Sequence, residues 1–246
     1  MRLHVATDAG DGPPLVLLHG WPQHSGMWDA VVPELSQRFR CLALDLRGMG
    51  ASPAPPDGYE KRTLAQDVLD TLDDLGIERA RFIGHDWGAF VTALIAMDHP
   101  ERIERGIMLA VPAPWDSSPD PRRLLGIAHM PIMASPLGPM VAATLGKQVM
   151  TLSGLTSEAA ERYVAPMRAD PARARAASLY YRTFLLHELP EAMRTRVEEP
   201  SVPIHVAGGD RDPVCRWSTM EKIPGAGHFF PDLRPQEVLK RAEAFL

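Results

Sequence analysis

The sequence predicts an α/β fold, a mostly parallel central sheet flanked by helices, with an all-helical segment inserted in its second half. Three observations carry this. Short apolar runs bounded by Gly, Pro and Asp alternate with helix-length apolar stripes up to about residue 112 and again after residue 200. From Trp115 to Arg196 the strand signal stops, and Met- and Ala-rich stretches with helical spacing replace it. Between one strand and the helix after it lies Gly84-His85-Asp86-Trp87-Gly88, a sharp glycine-flanked turn.

Taken in order, Leu15 to Leu18 and Cys41 to Leu44 read as strands buried on both faces. Thr63 to Leu75 places Leu64, Val68, Leu69, Leu72 and Leu75 on one helical face, and Gly76 ends it. Ala80 to Ile83 is the next strand, Ala89 to Met97 a helix, and Ile107 to Val111 a further strand. In the insertion, Pro131, Pro136 and Pro139 are expected to interrupt the first part, leaving Ala159 to Met167 and Ala172 to Leu186 as the better helices. Val202 to Ala207 returns to the sheet and Pro235 to Leu246 closes the chain as a helix. The expected organisation is a core of residues 1–114 and 199–246 with a helical cap over 115–198. A cap above the carboxyl ends of the strands is where a substrate pocket forms.

Composition excludes several classes. The chain has 246 residues, 45% hydrophobic, and a net charge of −5, which suits one globular unit with a substantial core. A mildly acidic balance without a basic cluster argues against nucleic acid as a partner. No run approaches the roughly 18 apolar residues that cross a bilayer, and Met1 to Gly10 lacks the apolar stretch of a signal peptide. Cys41 falls in a strand and Cys215 in a polar loop, without metal-type spacing, so reduced thiols and a cytoplasmic location are expected. No metal-ligand spacing and no dinucleotide loop are present, and no cofactor is expected.

The chemistry centres on Asp86. The glycines allow a tight turn that leaves the central side chain standing clear. The usual residue at such a turn is serine, which esters acylate. A carboxylate instead attacks an sp3 carbon and leaves an alkyl ester on the enzyme, which points to epoxide opening or carbon–halogen cleavage. A plain turn aspartate is the alternative, but the strand, the helix and both glycines are all in place.

Three further segments join this one: His19-Gly20-Trp21-Pro22, Asp45-Leu46-Arg47-Gly48-Met49-Gly50-Ala51-Ser52 and Gly225-Ala226-Gly227-His228. In this order they resemble the α/β-hydrolase fold, in the branch of epoxide hydrolases and haloalkane dehalogenases. The likeness is strong over residues 13–112 and looser over 200–246. It implies Asp86 as nucleophile and His228 as the base that activates water. The acid that orients His228 is Asp210 or Asp212, with Asp212 favoured because the G-x-x-D pattern aligns Gly209 with it, and Asp116 a distant third. The amides of Trp21 and Trp87 would form the oxyanion hole, and the Trp21–Pro22 bond is expected to be cis. His19 and His85 read as supports of these loops, and Arg47, with Asp45, as a loop brace.

The resemblance also implies that two cap tyrosines assist epoxide opening. Leu179-Tyr180-Tyr181-Arg182 aligns Tyr181 with the second. The first is expected near His129-Met130-Pro131-Ile132-Met133, yet no tyrosine lies between Tyr59 and Tyr163. His129 reads there as a lining or packing residue. The reading is hydrolysis of a small apolar epoxide to a diol with water as co-substrate, by a monomer or homodimer. The alternatives are a haloalkane or haloacid dehalogenase with Trp87 cradling halide, and an inactive binding relative of the fold. Only 16 positions separate Asp212 from His228, too few for the helix and strand the family places there.

Overall fold

The computed structural model describes residues 1–116, 120–192, 194 and 197–246. The core opens with β1 (His4–Ala9), β2 (Pro14–Leu18), α1 (Val32–Leu35), β3 (Arg40–Asp45), α2 (Lys61–Asp74), β4 (Ala80–His85), α3 (Trp87–Asp98) and β5 (Ile103–Leu109). The helical segment follows as α4 (Arg123–Gly126), α5 (Met130–Ala134), α6 (Gly138–Leu152), α7 (Ser157–Ala169), α8 (Pro171–Thr183), a π-helical turn at Phe184–Glu188 and α9 (Leu189–Ala192). The chain then returns through β6 (Ile204–Gly209), β7 (Glu221–Ile223), α10 (Phe230–Leu233) and α11 (Pro235–Phe245). Residues 117–119, 193 and 195–196 lie outside the described residues, close to both expected limits of the cap.

Among the described residues the strands form one seven-stranded sheet in the order β1-β3-β2-β4-β5-β6-β7. Only β1 is antiparallel to its neighbour. The strands β2, β3 and β4 are almost wholly buried, because helices cover both faces of a parallel sheet. The ends of β2, β4 and β6 therefore open on one edge of the sheet, where the chain order turns back. The N-terminal strand alternates exposed and half-buried residues, and its Asp8 pairs with Arg40 across the edge. That polar alternation is why β1 gave no buried-strand signal.

Of the three prolines expected to interrupt the helical segment, Pro136 lies in the break between α5 and α6, and the other two need correction. Pro131 and Pro139 do not interrupt it; each lies in the first turn of a helix, α5 and α6. A proline there loses no intrahelical hydrogen bond, so α6 runs for 15 residues where a broken segment was expected. The short stretch before His228 keeps its strand and lacks its helix: turns fill the space from Asp212 to Met220 and β7 follows at once. Arg47 braces its loop through Asp67, at 2.7 and 2.8 Å, rather than through Asp45. Asp45 accepts the amides of Ser25 and Ala51, tying together the loops after β2 and β3.

The shortened connection leaves little slack between β6 and the loop that carries His228. A Cβ on Gly209 would sit 2.1 Å from the carbonyl oxygen of Ala226, which belongs to backbone and has no room to yield. Gly209→Ala is expected to destabilise the protein by about 2–3 kcal/mol. The test is a lower midpoint of denaturant unfolding with an unchanged slope.

Candidate active site

Asp86 sits between β4 and α3 with φ 49° and ψ −120°, a backbone conformation that L side chains rarely adopt. Two hydrogen bonds hold it there: its N–H donates to Leu109 O at 2.9 Å, and its C=O accepts from Phe90 N at 3.0 Å. The side chain makes no capping bond to its own helix, so the carboxylate projects away from the turn. Close approach of backbones makes this possible. A Cβ on Gly88 would lie 2.3 Å from Leu18 O, and one on Gly20 would lie 2.4 Å from the Cβ of Asp86. The glycines on each side thus let the loop after β2 press directly on the turn.

That loop brings the Trp21 N–H to 2.9 Å from Asp86 Oδ2. Trp87 follows Asp86 directly, and its amide is among the groups that favour the charged carboxylate. Of the two expected oxyanion donors, Trp21 makes a hydrogen bond to the carboxylate. The Trp21–Pro22 peptide is cis. His19 supports the loop as anticipated: Nδ1–H donates to Gly20 O and Nε2 accepts from Leu46 N, each at 2.9 Å, which fixes its tautomer. Burial holds its pKa down to about 4, so the ring stays neutral.

His228 Nδ1 lies 2.9 Å from Asp212 Oδ2. Asp212 is fully buried and also accepts from Val214 N at 2.8 Å and from Cys215 Sγ at 3.1 Å. Of the three candidate acids, only Asp212 meets the imidazole. Asp210 accepts the amide of Gly225 at 2.8 Å, and Asp116 that of Thr219 at 3.2 Å. Cys215, expected in a polar loop, is buried because it packs under this carboxylate. His85 donates through Nε2 to the His228 carbonyl at 3.0 Å and so holds the loop from below. Burial and the neighbouring His228 charge keep His85 down to about 3, so it remains neutral.

The charges at the centre depend on one another. Burial works against a charged His228, but the Asp212 carboxylate, by charge and hydrogen bond, and the Asp86 carboxylate outweigh it and raise the ring to about 9. Burial raises Asp86, against the His228 charge and the amides of Trp21 and Trp87. Burial also opposes ionisation of Asp212, yet His228 and the donated hydrogen bonds hold it below the ordinary carboxylate value. In the resting site the His228 ring is held towards its charged form, with Asp212 on one side and Asp86 on the other.

The cap supplies the opposite wall. Tyr181 is buried with its ring edge-on to Trp21 at 5.3 Å, Trp87 at 5.5 Å and His129 at 5.6 Å. Tyr180 faces away and donates its hydroxyl to Arg47 O at 2.8 Å, a packing role. His129, at the N-terminus of α5, occupies the stretch where a first cap tyrosine was expected. It is exposed as a residue, but partial desolvation and the nearby His228 charge lower its pKa. Among the described residues no group of His, Cys, Asp and Glu is placed to hold a metal ion. None of the described helices is long and apolar enough to cross a membrane.

Comparison with known proteins agrees with this geometry. Residues 13–241 match the family described as alpha/beta hydrolase fold. A soluble epoxide hydrolase of Corynebacterium sp. strain C12 is 34% identical over 270 residues, covering 99% of this chain and 93% of its own. The chain belongs to the α/β-hydrolase family, on its epoxide-hydrolase branch. The ligand-free structure of the epoxide hydrolase CorEH superimposes on this hydrolase with a TM-score of 0.82 at 27% identity, covering 99% of this chain and 98% of that one. The bifunctional epoxide hydrolase 2 of Sus scrofa is 39% identical over 115 residues, 46% of this chain and 20% of that longer protein. A mutant epoxide hydrolase from Bacillus megaterium shares the fold, with a TM-score of 0.81 at 22% identity, covering 99% of this chain and 96% of that one.

The raised pKa of His228 has a consequence for stability. Its folded value of about 9 exceeds the ordinary 6.5, so the imidazolium contributes stability that is full below about pH 6.5 and is lost as pH rises towards 9. Asp86→Asn removes one of the charges that raise it. NMR titration of the His228 ring should show a midpoint near 9 in the parent protein and a lower one in Asp86→Asn. An unchanged midpoint would mean that Asp86 does not act on the ring.

Proposed function

We propose that this hydrolase opens small apolar epoxides to diols through a covalent ester on Asp86. One observation carries the reading: a carboxylate, where a serine would serve an esterase, stands at the strained turn with the Trp21 amide on one oxygen and the His228–Asp212 pair acting on it. The Corynebacterium relative, named for epoxide hydrolysis along nearly its whole length, supports it.

With Oδ2 engaged by Trp21, Oδ1 of Asp86 is left to attack an epoxide carbon. The carbon–oxygen bond of the ring breaks as the new ester bond forms, and the departing oxygen takes a proton from Tyr181. His129, edge-on to Tyr181 and held towards its neutral form, donates the second hydrogen bond to that oxygen. Esterification turns Asp86 from an anion into a neutral group. One of the charges holding the proton on His228 is thereby lost; the ring gives up that proton, which restores the Tyr181 phenol, and becomes a base when one is needed. Oriented by Asp212, it takes a proton from water, whose oxygen attacks the ester carbonyl. The amides of Trp21 and Trp87 then hold the oxyanion until the diol leaves. In this reading residues 115–198 are the cap closing over core parts 1–114 and 199–246. The unpaired thiols of Cys41 and Cys215 fit a cytoplasmic setting.

One observation favours a second reading, carbon–halogen cleavage by the same nucleophile. The indole N–H groups of Trp21 and Trp87 are buried and have no hydrogen-bond partner among the described residues, and such donors suit a halide. Intact-protein mass spectrometry of His228→Gln separates the two. Incubated with an aryl epoxide, it should gain the mass of the whole epoxide, because no group leaves. With a bromoalkane, a gain of the alkyl group without bromine would establish dehalogenation. No adduct from either would overturn the covalent role of Asp86. In steady-state assays with the epoxide, Asp86→Ala should abolish turnover. Tyr181→Phe and His129→Phe should each lower kcat/KM by about 10- to 100-fold.

A further inference from the structure

Lys61 is a buried charge that the mechanism above does not use. It opens α2, and its side chain is fully buried, 0% exposed. Its ammonium lies 2.6 Å from Tyr180 O, 3.0 Å from Thr183 Oγ1, 3.2 Å from Tyr59 O and 2.7 Å from Glu188 Oε2. The other oxygen of Glu188 accepts the backbone amide of Lys61 at 2.7 Å, so the pair clamps α2 to the end of the cap. The ammonium also sits 4.8 Å from the centre of the Trp87 ring and 5.6 Å from that of Phe184.

This placement costs desolvation that an uncharged side chain of similar length would avoid. The return is geometric. The ammonium holds the carbonyl of Tyr180 and the hydroxyl of Thr183, the residues on either side of Tyr181 and Arg182. It does so where α8 ends and the winding changes to π over Phe184–Glu188. Local π winding re-aims the side chains around it and often marks functional sites. The same ammonium backs the ring of Trp87, which follows Asp86 in the chain and meets the Tyr181 ring edge-on at 5.5 Å.

We propose that Lys61, clamped by Glu188, is a positioning residue that sets the Tyr181 phenol over Asp86 and thereby serves epoxide opening, not ester hydrolysis. The proposal rests on the two-step reading above. Rapid-quench single turnovers with styrene oxide, read by intact mass, resolve ester formation from ester decay. Lys61→Met should slow formation on the order of tenfold or more and leave decay within about twofold. Tyr181→Phe should show the same imbalance, and the double variant should form ester no more slowly than Tyr181→Phe alone, because both changes remove one effect. Glu188→Gln, a milder change that protects against a folding failure of Lys61→Met, should slow formation a few-fold with the same imbalance. Equal slowing of both steps, or additive losses in the double variant, would overturn the positioning role while leaving the covalent reading intact. No ester in the parent protein or in His228→Gln would overturn the covalent reading itself, and this proposal with it.

Discussion

The constraint on which the site depends is the direct contact between the turn at Asp86 and the loop after β2. Side chains are absent at Gly20 and Gly88, and the backbones meet at distances that a Cβ would forbid. That contact places the Trp21 amide on the carboxylate and imposes the positive φ that a residue other than glycine adopts only under constraint. Strain of this kind costs roughly 1–3 kcal/mol, and the packed sheet around it supplies the stability to hold it. The almost wholly buried strands β2, β3 and β4 form that support. The arrangement around Asp86 is therefore a property of the sheet edge as a whole.

Around this contact the charges are shared. His228 is held protonated by two carboxylates, and each carboxylate is in turn affected by the imidazolium. Neutral histidines surround the centre: His19 and His85 are too deeply buried to charge, so their hydrogen bonds to backbone carbonyls stay in one tautomer at any physiological pH. The fixed, uncharged rings set the shape of the loops, and the single ring beside two carboxylates carries the proton.

Most of the sheet, the central turn and the pairing of His228 with Asp212 were legible in the sequence because their signals are local. Apolar runs, glycines at fixed offsets and a C-terminal G-x-G-H need no knowledge of distant contacts. The failures share a cause. Proline was read as a breaker in the cap, but its effect depends on its position within a turn, and Pro131 and Pro139 start helices. β1 was missed because an edge strand alternates polar residues, and β7 because three residues carry no periodicity. Tyr181 stands out by its sequence neighbourhood, whereas the place of His129 against the Tyr181 ring depends on a tertiary contact that the sequence does not print. The signal available was its location in the stretch that should have held a tyrosine. Lys61 left no trace at all, since a lysine opening a helix is ordinary unless the cap folds over it.

The lost helix between Asp212 and His228 bears on how this protein would fail. His228 follows a three-residue edge strand, and its loop is secured from Arg211 N to Ala226 O, from Gly225 N to Asp210, from the Arg234 side chain to Pro224 O and Gly225 O, and from His85 to the His228 carbonyl. Short edge strands exchange their amide protons through small local openings that leave the interior folded. His228 therefore rides on the edge of the sheet, while Asp86 is anchored at its centre. Warming should release the two in sequence, so that turnover fades over a range in which calorimetry still records an intact core.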